Sequence, residues 1–162
     1  MAIVVSDTSP IRALAHLGCL PWLQELFAHV ALPPAVAREL ENPPPSMQAL
    51  DVAAWGFLIV QAPRRAERVA ELQATLDLGE SQAIALAEEI NADALLIDEL
   101  AGRSVAMNCG LIVVGTLGIL LRGKQQGLCP ELRPMLDRLQ EDLHFFVSPT
   151  LRQQILQQAR EA

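Results

Sequence analysis

Two runs of consecutive apolar residues, each ended by an aspartate, constrain the fold of this 162-residue chain more than any other feature. Ile3-Val4-Val5-Ser6 stops at Asp7, and Ala94-Leu95-Leu96-Ile97 stops at Asp98. Neither run alternates apolar with polar residues, so each predicts a strand buried on both faces, as in a parallel sheet covered by helices. Helical punctuation lies between such runs. Ser9 and Pro10 open a helix that Gly18 ends, and Pro33-Pro34 opens Ala35–Glu41. Further strands are predicted at Val30–Leu32, Phe57–Val60 and Leu111–Val114, with a short edge strand at Phe145–Val147. Helices are predicted at Ser46–Ala54, Arg64–Leu76, Gly79–Ile90, Glu99–Asn108, Thr116–Lys124, Pro130–Glu141 and Pro149–Arg160. This alternation predicts an α/β fold, a three-layer α/β/α sandwich with a central, mostly parallel sheet. No repeat and no linker divides the chain, so one domain is expected over residues 1–162.

Ligands of open α/β sheets bind outside the carboxyl ends of the strands, which is where Asp7 and Asp98 are expected. Two glutamates join them as candidates. Glu80 shares a helical face with Ala83, Ile84 and Ala87, and Glu39 shares one with Ala35 and Val36. A carboxylate on an apolar stripe is costly unless something compensates it. Four converging carboxylates repel one another by roughly 4 kcal/mol per close pair at an effective dielectric of about 20. A hard divalent cation, Mg²⁺ or Mn²⁺, relieves that repulsion through oxygen ligands.

Each acid also has a plainer role open to it. Asp7, before Thr8-Ser9-Pro10, has the place of an N-cap, and Glu80 that of a favourable charge in a helix first turn. Glu39 can be an ordinary surface residue. Asp98 can cap the next helix, while Glu99 and Arg103 have the i,i+4 spacing of a surface ion pair. Alternatively Glu99 offers a fifth carboxylate and Arg103 touches phosphate. Their combined order along the chain (strand end, helix face, helix face, strand end) points to a single acidic site.

Composition narrows the classes. A net charge of −7 excludes the strongly basic footprint of a non-specific nucleic-acid binder. Eleven of the twelve basic residues are arginine, which suits bidentate contacts with phosphate. Cys19, Cys109 and Cys129 are odd in number and lack metal-ligand spacing, and no histidine stands in a motif with them. They read as small apolar residues in a reduced, cytoplasmic setting. No apolar stretch approaches the ~20 residues of a membrane span, so no membrane is expected as a partner.

The blocks Val-Val-Ser-Asp7-Thr-Ser-Pro, Pro-Ala-Val-Ala-Arg-Glu39, Leu-Gly-Glu80-Ser-Gln-Ala-Ile-Ala-Leu-Ala and Leu-Leu-Ile-Asp98-Glu99 with Gly102-Arg103 resemble the PIN-domain nuclease superfamily. The resemblance is to a prokaryotic branch of mostly uncharacterised, toxin-like proteins, and Gly110-Leu-Ile-Val-Val-Gly-Thr-Leu-Gly extends it. It implies a parallel α/β/α sandwich whose acids bind Mg²⁺ or Mn²⁺ and cut single-stranded or structured RNA, in many members as toxins paired with an antitoxin protein. Carried over, Asp7, Glu39, Glu80 and Asp98 are the acidic site, with Glu99 as a further metal candidate. Thr8, Ser9, Arg12, Arg103 and Thr116 are the substrate-binding candidates. Many members place another Asp a few residues beyond the last strand-end acid, where this chain has only Glu99.

The expected activity is thus metal-dependent hydrolysis of RNA. The alternative is a catalytically weak PIN-like module that binds nucleic acid or protein in a regulatory complex. A phosphotransfer domain ranks below both, because Ser9 stands where a dehalogenase-like motif needs a second Asp, and Gly115-Thr116 where a receiver needs Lys. A homodimer is expected from the apolar faces of the Leu-rich last helices.

Overall fold

The computed structural model describes residues 2–162. Five strands form one sheet: β1 (Val4–Ser6), β2 (Val30–Leu32), β3 (Leu58–Val60), β4 (Ala94–Leu96) and β5 (Val113–Val114). Their order is β3-β2-β1-β4-β5, and every pairing is parallel. Helices α1 (Thr8–His16), α2 (Trp22–Phe27) and α3 (Pro34–Glu41) lie in the first part of the chain. Helices α4 (Ala66–Leu72), α5 (Leu78–Glu89), α6 (Leu100–Asn108) and α7 (Thr116–Gln125) follow, then α8 (Arg133–Asp142) and α9 (Pro149–Gln158).

The strand period of two divides the core between two faces. Val4, Leu96, Leu32 and Val114 enter one apolar cluster with Ile11 and Leu14 of α1, Ile119 and Leu120 of α7, and Leu136 of α8. Val5, Leu95 and Ile97 enter a second with Val69 of α4, Ile84 of α5 and Ala106 of α6. The sheet is therefore the middle layer of an α/β/α sandwich. Because the chain fills β1-β2-β3 to one side and β4-β5 to the other, the order reverses between β1 and β4. That is the switch point at which a crevice opens beyond the carboxyl ends of the strands.

Several predicted elements differ from those found. The helix expected over Ser46–Ala54 is a single 3-10 turn, Val52–Ala54. Three prolines precede it, and the Leu50 N–H donates to the Leu40 carbonyl (2.9 Å), which holds the segment along the end of α3. The edge strand expected over Phe145–Val147 is absent, because the Phe145 N–H turns back to the Leu139 carbonyl (3.1 Å). Helix α4 starts at Ala66, since the Arg64 and Arg65 N–H groups donate instead to the Glu89 carboxylate (2.9 and 2.8 Å). The last helices turn Leu136, Leu139, Ile155 and Leu156 into the core, so these side chains offer no apolar face to a second copy. Among the described residues no helix is long and apolar enough to cross a membrane.

Candidate active site

Asp7 follows β1 directly, and its N–H donates to the Leu96 carbonyl of β4 (2.8 Å), which fixes it at the switch point. It occupies the N-cap position of α1, yet its side chain makes none of the hydrogen bonds that define a cap. The plain capping role is therefore not the one it plays. Asp7 is 5% exposed.

Glu80 comes from the first turn of α5 and is 7% exposed, with Ala83, Ile84 and Ala87 buried on the same face. This helix opens with a capping box. The Glu80 N–H donates to Asp77 Oδ1 (2.8 Å), and the Asp77 N–H donates to Glu80 Oε2 (3.3 Å). Glu39 lies near the end of α3, a helix too short to bury it, and is exposed although Ala35 and Val36 are buried. Its Oε2 accepts the Thr8 hydroxyl (2.8 Å).

These groups meet around a cavity of about 290 Å³. Asp7, Glu39, Glu80 and Glu99 line it, with a fifth acid, Asp77. Thr8, Ser9 and Arg12 complete the polar wall, while Met47, Leu143 and Phe145 form an apolar rim. Two glycines let the carboxylates approach. A Cβ on Gly79 would stand 2.9 Å from Glu39 Oε1 and 3.6 Å from both Asp7 Oδ1 and Asp77 Oδ1. A Cβ on Gly102 of α6 would stand 3.2 Å from Glu80 Oε1 and 2.6 Å from Ile97 Cδ1.

Burial pushes the Asp7 carboxyl up from 3.8 to about 7, against the opposing Thr8 N–H, and the charges of Glu80, Asp77 and Glu39 add to the rise. Glu80 is raised in the same way, first by burial and then by Asp77, with the Asp77 N–H opposing. Among the described residues no cation is paired with either carboxylate.

Asp98 is not in the wall of this cavity. Its Oδ1 accepts the Thr116 N–H (2.7 Å), and its Oδ2 accepts the hydroxyls of Thr116 (2.7 Å) and Ser9 (3.0 Å). It thus ties the end of β4 to the starts of α7 and α1, while the N-cap of α6 is Glu99. Arg103 donates to the Ile97 carbonyl (2.9 Å) and makes no ion pair with Glu99, one of the two roles their spacing left open. Asp98, Thr116 and Arg103 make up a polar knot beside the acids, whereas Thr8, Ser9, Arg12 and Glu99 share the cavity with them.

Asp77 is the acid that sequence reasoning missed. The signal was present, since Asp77-Leu-Gly-Glu80 has the spacing of a capping box before an apolar helix.

The donor set fits a hard divalent cation in kind. It consists of oxygen alone, and it contains a carboxylate that burial and the neighbouring acids keep protonated up to about neutral pH. Gly79 leaves open a cradle that faces three carboxylates from three segments. As the side chains stand, however, no three of His, Cys, Asp and Glu among the described residues are gathered closely enough to hold one ion. Glu39 is held by Thr8, and Glu80 by the Asp77 N–H.

The model of the family described as DUF3368: PIN domain matches residues 3–161 of the chain. No curated protein matches it.

Proposed function

We propose, from the premise that the chain belongs to the PIN-domain family, that it is a Mg²⁺- or Mn²⁺-dependent endoribonuclease working at the acid cavity. PIN domains are generally nucleases, and typically use divalent metals. The observation that carries the reading is the buried Asp7 carboxyl, raised to about 7, in a cavity that four further acids line. Asp7, Glu80, Glu39 and Asp77 would hold the cation, with Glu99 at its edge. Bound there, the cation would supply Lewis-acid stabilisation of charge on the phosphate and lower the pKa of water.

The chain's other groups have separate tasks. Arg12 is placed to meet the phosphate backbone, with Thr8 and Ser9 as hydroxyl donors on the same wall. Asp98 positions Ser9 and Thr116, so its effect on the reaction runs through them. No histidine lines the acid cavity, so no imidazole base is assigned. The toxin half of a toxin–antitoxin pair, acting on RNA in the cytoplasm, is the biological setting we propose.

A second reading is a PIN-like binding module with little catalysis. It is favoured by the hydrogen bonds that hold Glu39 and Glu80 away from a common point, and by the absence of an Asp beyond Glu99. Cleavage and metal uptake separate the two. An endoribonuclease cuts single-stranded RNA with Mn²⁺ and loses the activity in Asp7→Asn and Glu80→Gln. Cleavage retained in both variants would remove the site assignment. Calorimetry that finds no Mn²⁺ or Mg²⁺ uptake near neutral pH would favour the binding module over the enzyme.

A further inference from the structure

The chain has two tryptophans, and they are placed differently. Trp22 is packed against α7, where a Cβ on Gly123 would fall 2.3 Å from its ring. Trp55 instead stands half-buried in the wall of a second cavity, of about 550 Å³. Phe57 holds its indole edge-on, with ring centroids 5.9 Å apart at 66°. This cavity adjoins the acid cavity, and Arg12, Met47 and Leu143 line both.

We propose that the second cavity receives one unpaired nucleobase of the nucleic acid whose backbone crosses the acids. Trp55 is the stacking surface, and Arg12 the contact to the intervening phosphate. The inference rests on the nucleic-acid reading above and adds a base-binding subsite to it. A nucleobase has a flat apolar face and a hydrogen-bonding edge. The cavity matches both, with Leu40 and Leu50 beside Trp55 and the Gln48 carboxamide among its polar groups. Base–aromatic stacking is tolerant of sequence, and it operates only on bases freed from pairing. In a chain of net charge −7, Arg12 is the cation at the junction of the two cavities. One of its N–H groups donates to the Glu39 carbonyl (3.1 Å), which anchors the guanidinium between the acids and Trp55. The wall carrying Trp55 is fixed in advance by Pro43–Pro45 and by the Leu50–Leu40 hydrogen bond (2.9 Å).

The test uses a short single-stranded RNA with 2′-O-methyl sugars, added without metal so that nothing is cut. The oligonucleotide is expected to quench the tryptophan fluorescence of the native protein, a readout that needs no variant. Trp55→Leu weakens binding about tenfold, and Trp55→Phe restores most of it. A duplex of the same sequence binds about tenfold more weakly than the single strand. Equal binding by native and Trp55→Leu protein, or by duplex and single strand, overturns the proposal. So does quenching by an apolar peptide where the oligonucleotide gives none, since the cavity then belongs to a protein partner. Mn²⁺-dependent cleavage that is lost in Asp7→Asn but unchanged in Trp55→Leu also overturns the base subsite, while leaving the nuclease in place. Trp55-dependent binding by a protein that cuts nothing keeps the subsite and removes the nuclease.

Discussion

Gly79 stands where any side chain would press on Glu39, since a Cβ there would come 2.9 Å from Glu39 Oε1. The atom displaced is the tip of a flexible side chain, and Ala is favoured over Gly inside a helix by about 1 kcal/mol. Gly79→Ala is therefore expected to leave the melting temperature unchanged or slightly raised. It is also expected to weaken Mn²⁺ binding about tenfold by filling the cradle that faces Asp7, Glu39 and Asp77. Calorimetric titration beside a thermal melt checks both halves.

Asp7→Asn should stabilise the metal-free protein while abolishing its chemistry. The native carboxylate is buried among like charges, so an uncharged isostere removes a cost of about 4 kcal/mol at pH 8. Denaturant melts in a chelator should show the gain, and RNA cleavage with Mn²⁺ should fall about 100-fold or more. A variant less stable than the native protein at pH 8 would mean that Asp7 is a structural acid.

Acid and metal should compete for the same group. The Asp7 carboxyl lies at about 7 in the fold and 3.8 as its ordinary value, so between these pH values the folded state binds the extra proton. Metal-free stability is therefore expected to fall as pH rises from about 4 through about 7, and Glu80 acts in the same direction. Mn²⁺ affinity is expected to rise over that window and level off above it, because the proton must leave before the cation enters. Chemical denaturation and metal titration at a series of pH values test the two slopes, both of which Asp7→Asn flattens.

Asp98 is expected to behave differently from Asp7. Removing the acceptor of the Thr116 and Ser9 hydrogen bonds with Asp98→Ala should cost about 1–3 kcal/mol of stability. Asp98→Asn should cost less, and should reduce Mn²⁺ affinity far less than Asp7→Asn does. Equal losses of affinity in Asp98→Asn and Asp7→Asn would make Asp98 a ligand.

Gly123→Ala serves as a control remote from the acids. Its Cβ would lie 2.3 Å from a Trp22 ring carbon, inside a packed interface of rigid groups. A loss of about 1–3 kcal/mol is expected, with Mn²⁺ affinity unchanged. Melting curves and one calorimetric titration measure it.

The parts of the molecule legible in the sequence are those that one local pattern decides. Val4-Val5 and Leu95-Leu96 are buried on both faces, so uninterrupted apolar runs marked β1 and β4, and the acids that end those runs fell at the switch point. Phe145-Phe146-Val147 has the same local look, but the Phe145 N–H is taken by the Leu139 carbonyl at the end of α8, and the segment stays coil. Local pattern cannot see which distant group takes a backbone N–H. The site was readable to the same extent. Glu80 was placed by its helix face, while Glu39 was misplaced onto a buried face because two turns of helix do not fix a direction. Asp98 has the right position for a cavity residue, but the donors that occupy it come from Ser9 and Thr116. These lie 89 and 18 residues away in sequence, and no spacing rule joins them.

The reciprocal bonds between Asp77 and Glu80 have a consequence for how this protein tolerates change. The two acids are locked to each other through backbone N–H groups of a single helical turn, so they move as one piece. Substitutions that shift the sheet or tilt α5 would carry both carboxylates together, with their mutual spacing conserved. Glu39, on its own short helix, has no such coupling, and drift in the packing of α3 would alter it alone. Variation among homologous chains should therefore preserve the Asp77–Glu80 spacing long after the position of Glu39 has wandered.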